Sequence, residues 1–269
     1  MVLESLVSVK DAIKHPLRMV VFGAIVSLIS LGIAYFIFPE NAGLVTVFLI
    51  TLISTPFMWN LLKYEEWCEE KDFVCKMKFS DKVNPVKAFM RSMMIFLIYS
   101  AFFGGMTAAL TFAYILLPPD VAKETFNDQM VQIGKVSNLV GRFAFDGPFQ
   151  HILMNNLVVL GISFILALLI GVGAIFVLAW NASVLAVAIS IVTKSDGFSA
   201  AILRFMPHGI FEIAAYFLAA IAGGVVSVAV TKRSTPQFGP VVRDMMIIMV
   251  LGIAFVFIGA VIERQGLSF

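Results

Sequence analysis

The chain has 269 residues, 60% of them hydrophobic and only 13% charged, with a mean hydropathy of +0.97. A soluble globular domain is about half apolar and about a quarter charged, so this composition excludes one and describes a polytopic membrane protein. A formal net charge of +2 gives no basis for expecting nucleic acid as a partner.

The apolar runs are nearly continuous and about 20 residues long, as membrane helices require. Barrel strands would be about 10 residues long and alternating. The expected fold is therefore all-α, a polytopic transmembrane bundle of six to seven spans forming a single membrane domain over residues 1–269.

Residues 1–18 place Leu3, Leu6, Val7 and Ile13 at roughly helical spacing among charges, as in a helix lying in the membrane interface. Residues 19–62 read as a helical hairpin turning at Pro39-Glu40-Asn41, with Pro56 as a kink. Residues 63–91 carry seven Lys/Arg and six Asp/Glu and read as a charged cytoplasmic extension. Cys68 and Cys75 fall here and are expected to be reduced thiols, a weak metal signal and no disulfide framework. Residues 92–117 form a span stopped by Pro118-Pro119, and 118–152 a connection long enough for helices of its own.

Residues 153–262 form the core. Leu153 to Val192 is 40 apolar residues. One helix of that length would reach about 60 Å, about twice the hydrocarbon thickness. A break is expected near Trp180-Asn181-Ala182-Ser183; one long tilted helix is the alternative. A short helix is expected after Asp196-Gly197, then a new helix beginning at Pro207 and a last span from Met245 to Ile262.

Lys and Arg favour the cytoplasmic side. That rule puts the N-terminus, residues 63–91 and Lys232-Arg233 inside, and residues 118–152 outside. Seven crossings satisfy it; a re-entrant pair at 153–192 would put Lys232 and Arg233 outside.

Few polar groups interrupt the core: Asn155, Asn156, Trp180, Asn181, Arg204, and the run Pro207-His208-Gly209 followed by Glu212. Arg204, His208, Glu212 and Tyr216 are each four apart and share one helix face. Ionisable groups inside a span are a functional-site signal by default. Two readings follow, a polar lock that fixes helix register and a site that handles protons, ions or a substrate. No catalytic set, cofactor motif or metal-ligand spacing is apparent. The stripes Ser163, Ala167, Gly171 and Ala215, Ala219, Gly223 read as surfaces for close helix packing.

Met154-Asn155-Asn156, the helix through Gly171 to Trp180-Asn181-Ala182-Ser183, and Pro207-His208-Gly209-Ile210-Phe211-Glu212 together resemble the stage II sporulation protein M family, and the opening, Met1 to Phe38, with the Glu-rich segment after the second span, resembles its archaeal branch in particular. The chain departs from the wider pattern at Ala182 and Ala186, where glycine is frequent. The resemblance implies a multipass membrane protein. In spore-forming bacteria it implies a scaffold that holds peptidoglycan-degrading proteins at the septum, and it assigns no role to any single residue. The resulting expectation is a non-enzymatic scaffold or assembly factor in the cell membrane. Its partners would be the lipid bilayer, other proteins of a membrane complex or further copies of itself. A transporter or permease subunit built around His208 and Glu212 is the alternative.

Overall fold

A computed structural model of the chain describes residues 8–71, 85–142, 148–231 and 238–266. Among the described residues there is no strand. A short helix α1 (Val9–Lys14), capped by Ser8, precedes α2 (Arg18–Ile37). A single 3₁₀ turn at Pro39–Asn41 leads into α3 (Ala42–Lys71), and α4 spans Pro85–Leu116. Two shorter helices follow, α5 (Pro119–Thr125) and α6 (Asn127–Arg142). The remainder is α7 (Pro148–Ile170), α8 (Ala174–Asp196), α9 (Phe198–Thr231) and α10 (Phe238–Gly266). Seven of these, α2, α3, α4, α7, α8, α9 and α10, are long and apolar enough to cross a membrane.

The expected amphipathic pattern of the first residues lies mostly outside the described part, as do Cys75, the loop at Asn84 and the pair Lys232-Arg233; nothing is described of the Cys68 side chain. Pro56 sits inside α3, which continues past it. The charged extension of α3 is helical as far as Lys71.

The long apolar run is two helices, but its break is not at Asn181. It falls at Gly171-Val172-Gly173, ten residues earlier. Gly171 has φ +73°, a left-handed conformation that glycine adopts without penalty, and its N–H donates to the Ala167 carbonyl at 2.7 Å. A side chain at Gly173 would meet the Leu166 carbonyl oxygen at 2.5 Å, so the returning chain presses directly on α7. Asn181 instead lies within α8 and donates its side-chain amide to the Val177 carbonyl at 2.7 Å, one turn back, a bond compatible with unbroken helix.

The second expected break is also absent. Pro207 lies inside α9, which runs unbroken from Phe198, so the expected short helix after Gly197 and the following span are one element. Proline leaves one carbonyl without its helical donor, a defect that membrane helices tolerate where neighbours compensate. The chain breaks at Gly197 instead (φ +91°), where the N–H donates to the Thr193 carbonyl and closes α8.

Helix α9 is the centre of the bundle. Its apolar window is 83% buried, against 28–56% for the other six membrane-length helices. It packs against α10, α7, α8, α3 and α4. From Ala214 to Ala229 nearly every residue is buried, and many are Ala or Gly. The two small-residue stripes pack against each other: a side chain at Gly223 would reach the Phe164 carbonyl at 2.5 Å and the Ala167 Cβ at 2.7 Å. Phe217 is enclosed by Phe96, Tyr99 and Phe103 of α4, with ring centroids 5.5–6.2 Å apart. Such aromatic pairs add about 0.5–1.5 kcal/mol beyond the area they bury.

A second close approach joins α2 to α4. A Cβ at Gly105 would collide with the Val20 backbone, meeting its carbonyl carbon and Cα at 2.8 and 2.9 Å. Backbone cannot yield as a side chain can, and overpacking costs about 1–3 kcal/mol. Gly105→Ala is expected to lower the midpoint of thermal unfolding in detergent. Gly32→Ala, where nothing lies within 4 Å of the added carbon, should leave it unchanged or raise it.

Candidate functional site

The site begins with the register of α9. Because the helix continues through Pro207, His208, Glu212 and Tyr216 occupy successive turns of one face. Facing them on α7 is Asn156, which is 5% exposed. Tyr216 donates its hydroxyl to the Asn156 side-chain oxygen at 2.8 Å, and the Asn156 amide nitrogen donates to Glu212 Oε1 at 2.5 Å. The two bonds agree on the orientation of the amide: its oxygen accepts from Tyr216 and its nitrogen is left to donate. Glu212 Oε1 is therefore an acceptor, held in place across the α7–α9 interface.

The third wall is α10. A side chain at Gly259 would meet Glu212 Cγ at 2.9 Å and the His208 carbonyl oxygen at 3.4 Å, so this glycine lets α10 lie directly on α9 beside the carboxylate. One turn further along α10 is Glu263. His208, Glu212 and Glu263 each present a ligand-type atom, and these atoms lie within 4.8 Å of one another.

These groups open into a cavity of about 410 Å³ between α7, α8, α9 and α10. Its polar lining includes His151, Asn155, Asn156, Asn181, His208 and Glu212, together with Tyr216 and Glu263; Val184, Leu185 and Ile213 are among its apolar wall. The volume falls within the range of small-molecule sites. Among the described residues, neither lysine nor arginine lines the cavity. Chemically the arrangement can accept a proton, a cation or a cationic group, and it offers hydrogen-bond donors through the asparagine amides.

Of the residues singled out in the sequence, Asn155, Asn156, Asn181, His208, Gly209 and Glu212 line the cavity. Trp180, Arg204 and Pro207 do not. Trp180 packs against the hydrophobic core and its carbonyl accepts from Ser183 Oγ at 2.8 Å. Arg204 and Pro207 are exposed on α9, so Arg204 is not the partner of Glu212 that the four-residue spacing allowed. Sequence reading missed Glu263, one residue beyond the apparent end of the last apolar run. The available signal was Gly259 four residues before it, a small residue one turn from a carboxylate.

A second polar contact outside the cavity was also missed. Gln129 of α6 is fully buried, donates to Ser183 of α8 at 3.2 Å, and packs where a side chain at Gly43 would otherwise be. It ties the connection between α4 and α7 to the bundle.

Seven membrane-length helices, of which α4, α7, α8, α9 and α10 line a histidine–carboxylate cavity, define a multipass membrane protein with a polar cavity in its helix bundle. Residues 92–264 match the family model of stage II sporulation protein M, which is more than half of the chain, and the chain belongs to that family. The match takes in every helix that lines the cavity and reaches past Glu263, whereas α2 and α3 lie before it. No curated protein and no solved structure matches the chain.

Asn156 is the hinge of the polar contacts. Replacing it with leucine strands the Tyr216 hydroxyl and a Glu212 oxygen, and each unsatisfied buried group costs about 1–3 kcal/mol. Asn156→Leu is expected to destabilise the protein in that range in thermal or denaturant unfolding. Tyr216→Phe should cost less, near the ~0.6 kcal/mol typical of one interhelical polar contact, because Asn155 Nδ2 still approaches the Asn156 oxygen at 3.4 Å.

Proposed function

We propose that this chain is a non-enzymatic multipass membrane protein that serves as a scaffold or assembly factor for a membrane complex. The observation that carries this reading is the Tyr216–Asn156–Glu212 bridge between α7 and α9. It commits polar groups of two helices to holding one helix arrangement. The close approaches at Gly105 and Gly223 support the same reading, since they favour a bundle with one fixed shape. Membership of the family supports a role in holding other proteins.

The second reading is a permease or transporter subunit. The cavity favours it, because a polar chamber that reaches Glu212 is what such a site needs.

The proposed location is the cell membrane, with the N-terminus and residues 63–91 cytoplasmic and α5 and α6 outside. Seven spans and the basic residues of 63–91 support this orientation. In a chain with Cys68 and Cys75 changed to serine, a cysteine at exposed Asp120 is expected to react with a membrane-impermeant maleimide in intact cells. Labelling only after permeabilisation would reverse the topology.

Cross-linking in native membranes, gentle purification and mass spectrometry test the role itself. A stoichiometric protein partner that recurs is expected. Recovery of the chain alone, or with itself only, would overturn the scaffold reading; an ATPase as the partner would favour the permease reading.

A further inference from the structure

We propose that His208, Glu212 and Glu263 form a binding site for a divalent transition cation of the Zn²⁺ type, with its remaining coordination positions facing the cavity. The proposal goes beyond the scaffold reading and stands whether or not that reading holds.

The donor set comes first. One imidazole nitrogen and two carboxylate oxygens converge from two helices, all within 4.8 Å of one another. Tetrahedral ligands around zinc, at bond lengths of about 2.0–2.1 Å, stand about 3.3 Å apart. Imidazole with carboxylate suits zinc and its neighbours, whereas an all-oxygen set would suit Mg²⁺ or Ca²⁺. His208 and Glu212 are four residues apart on α9, a spacing that aims two ligands at one point, and Glu263 reaches the same point from α10.

The surroundings are built for such a site. Glu212 Oε1 accepts from the Asn156 amide, which is itself oriented by Tyr216, and the Glu212 and Glu263 carboxyl groups hydrogen-bond to each other through a shared proton that an ion would displace. Hydrogen bonds of this kind behind a ligand fix its direction, and their loss typically costs about 10–100-fold in metal affinity. Gly259 supplies the close helix approach that brings Glu263 over Glu212. Neither lysine nor arginine is among the described residues that line the cavity, and the proton that the two carboxyl groups share is the positive charge that a bound cation would replace. Three protein ligands and an open cavity leave room for a water or a ligand atom at the fourth position.

The test uses the full chain in lipid nanodiscs, with Cys68 and Cys75 changed to serine so that thiols do not contribute. The protein is stripped with a chelator and equilibrated with buffered Zn²⁺. Bound metal is counted by mass spectrometry and affinity measured by calorimetry. One Zn²⁺ per chain is expected, undisplaced by millimolar Mg²⁺ or Ca²⁺, with a rise in thermal midpoint on binding. Glu263→Gln and His208→Gln are each expected to weaken binding about tenfold or more and to abolish the rise. Substoichiometric uptake by the parent chain overturns the proposal without any variant. So does uptake that Mg²⁺ displaces, or undiminished uptake by both variants. If one variant fails to give monodisperse protein, the other and the parent stoichiometry decide. Partner recovery by cross-linking is read separately, so failure of the cation site and failure of the scaffold reading are distinguishable.

Discussion

A carboxylate carried into a membrane on a helix has to be kept away from lipid. Even the lower measured costs of a charged side chain at the bilayer centre are about 2.5–3.5 kcal/mol. Glu212 imposes that constraint on α9, and the bundle is arranged to meet it. Of the seven membrane-length helices, α9 is the most enclosed. Its two halves divide the work. The half that carries His208 and Glu212 lines the cavity, and the half from Ala214 onward is rich in Ala and Gly. Small residues let neighbouring backbones approach, and in lipid it is packing rather than the hydrophobic effect that holds helices together. The tight half anchors the helix so that the polar half can face a chamber instead of lipid.

The sequence made the architecture legible because the bilayer limits what an apolar run can be. Length favoured a break within residues 153–192 over one long tilted helix, and the small-residue stripes on α7 and α9 meet at Ala167 and Gly223. The position of the break was misread for a physical reason. Asn181 and its neighbours are the most polar residues of that run, but polarity does not end a helix when the side chain can bond to the preceding turn. Gly171 looks innocuous in an apolar segment, yet it is the residue able to take φ +73°. Pro207 misled in the opposite direction. In water a proline inside a helix costs about 3 kcal/mol and usually marks an end. In a membrane helix the surroundings can absorb that defect, and α9 continues.

The site was half legible. His208 and Glu212 declared themselves by being ionisable within an apolar run, and their spacing put them on one face. Asn156 was a candidate among several amides, and only the crossing of α7 over α9 selects it. Glu263 required tertiary structure altogether. It belongs to the end of α10, where a charged residue is unremarkable, and it gains its meaning from the glycine one turn earlier that presses α10 onto Glu212. Arg204 shows the converse. It shares the periodicity of the polar face but lies exposed, outside the cavity.

A polar lock and a ligand site are often weighed as rival explanations for buried polar residues. Here the two share atoms without competing for them. The lock uses the Asn156 amide, the Tyr216 hydroxyl and one oxygen of Glu212. The candidate ligand atoms of Glu212, Glu263 and His208 lie within 4.8 Å of one another, with Glu212 and Glu263 hydrogen-bonded to each other. A lock alone would be complete with Asn156, Glu212 and Tyr216. Glu263 adds a carboxyl–carboxyl hydrogen bond from α10, which holds only while a proton lies between the two groups. The same geometry that fixes the helices therefore also sets the charge balance of the cavity, which a shared proton meets and a bound cation would meet in its place.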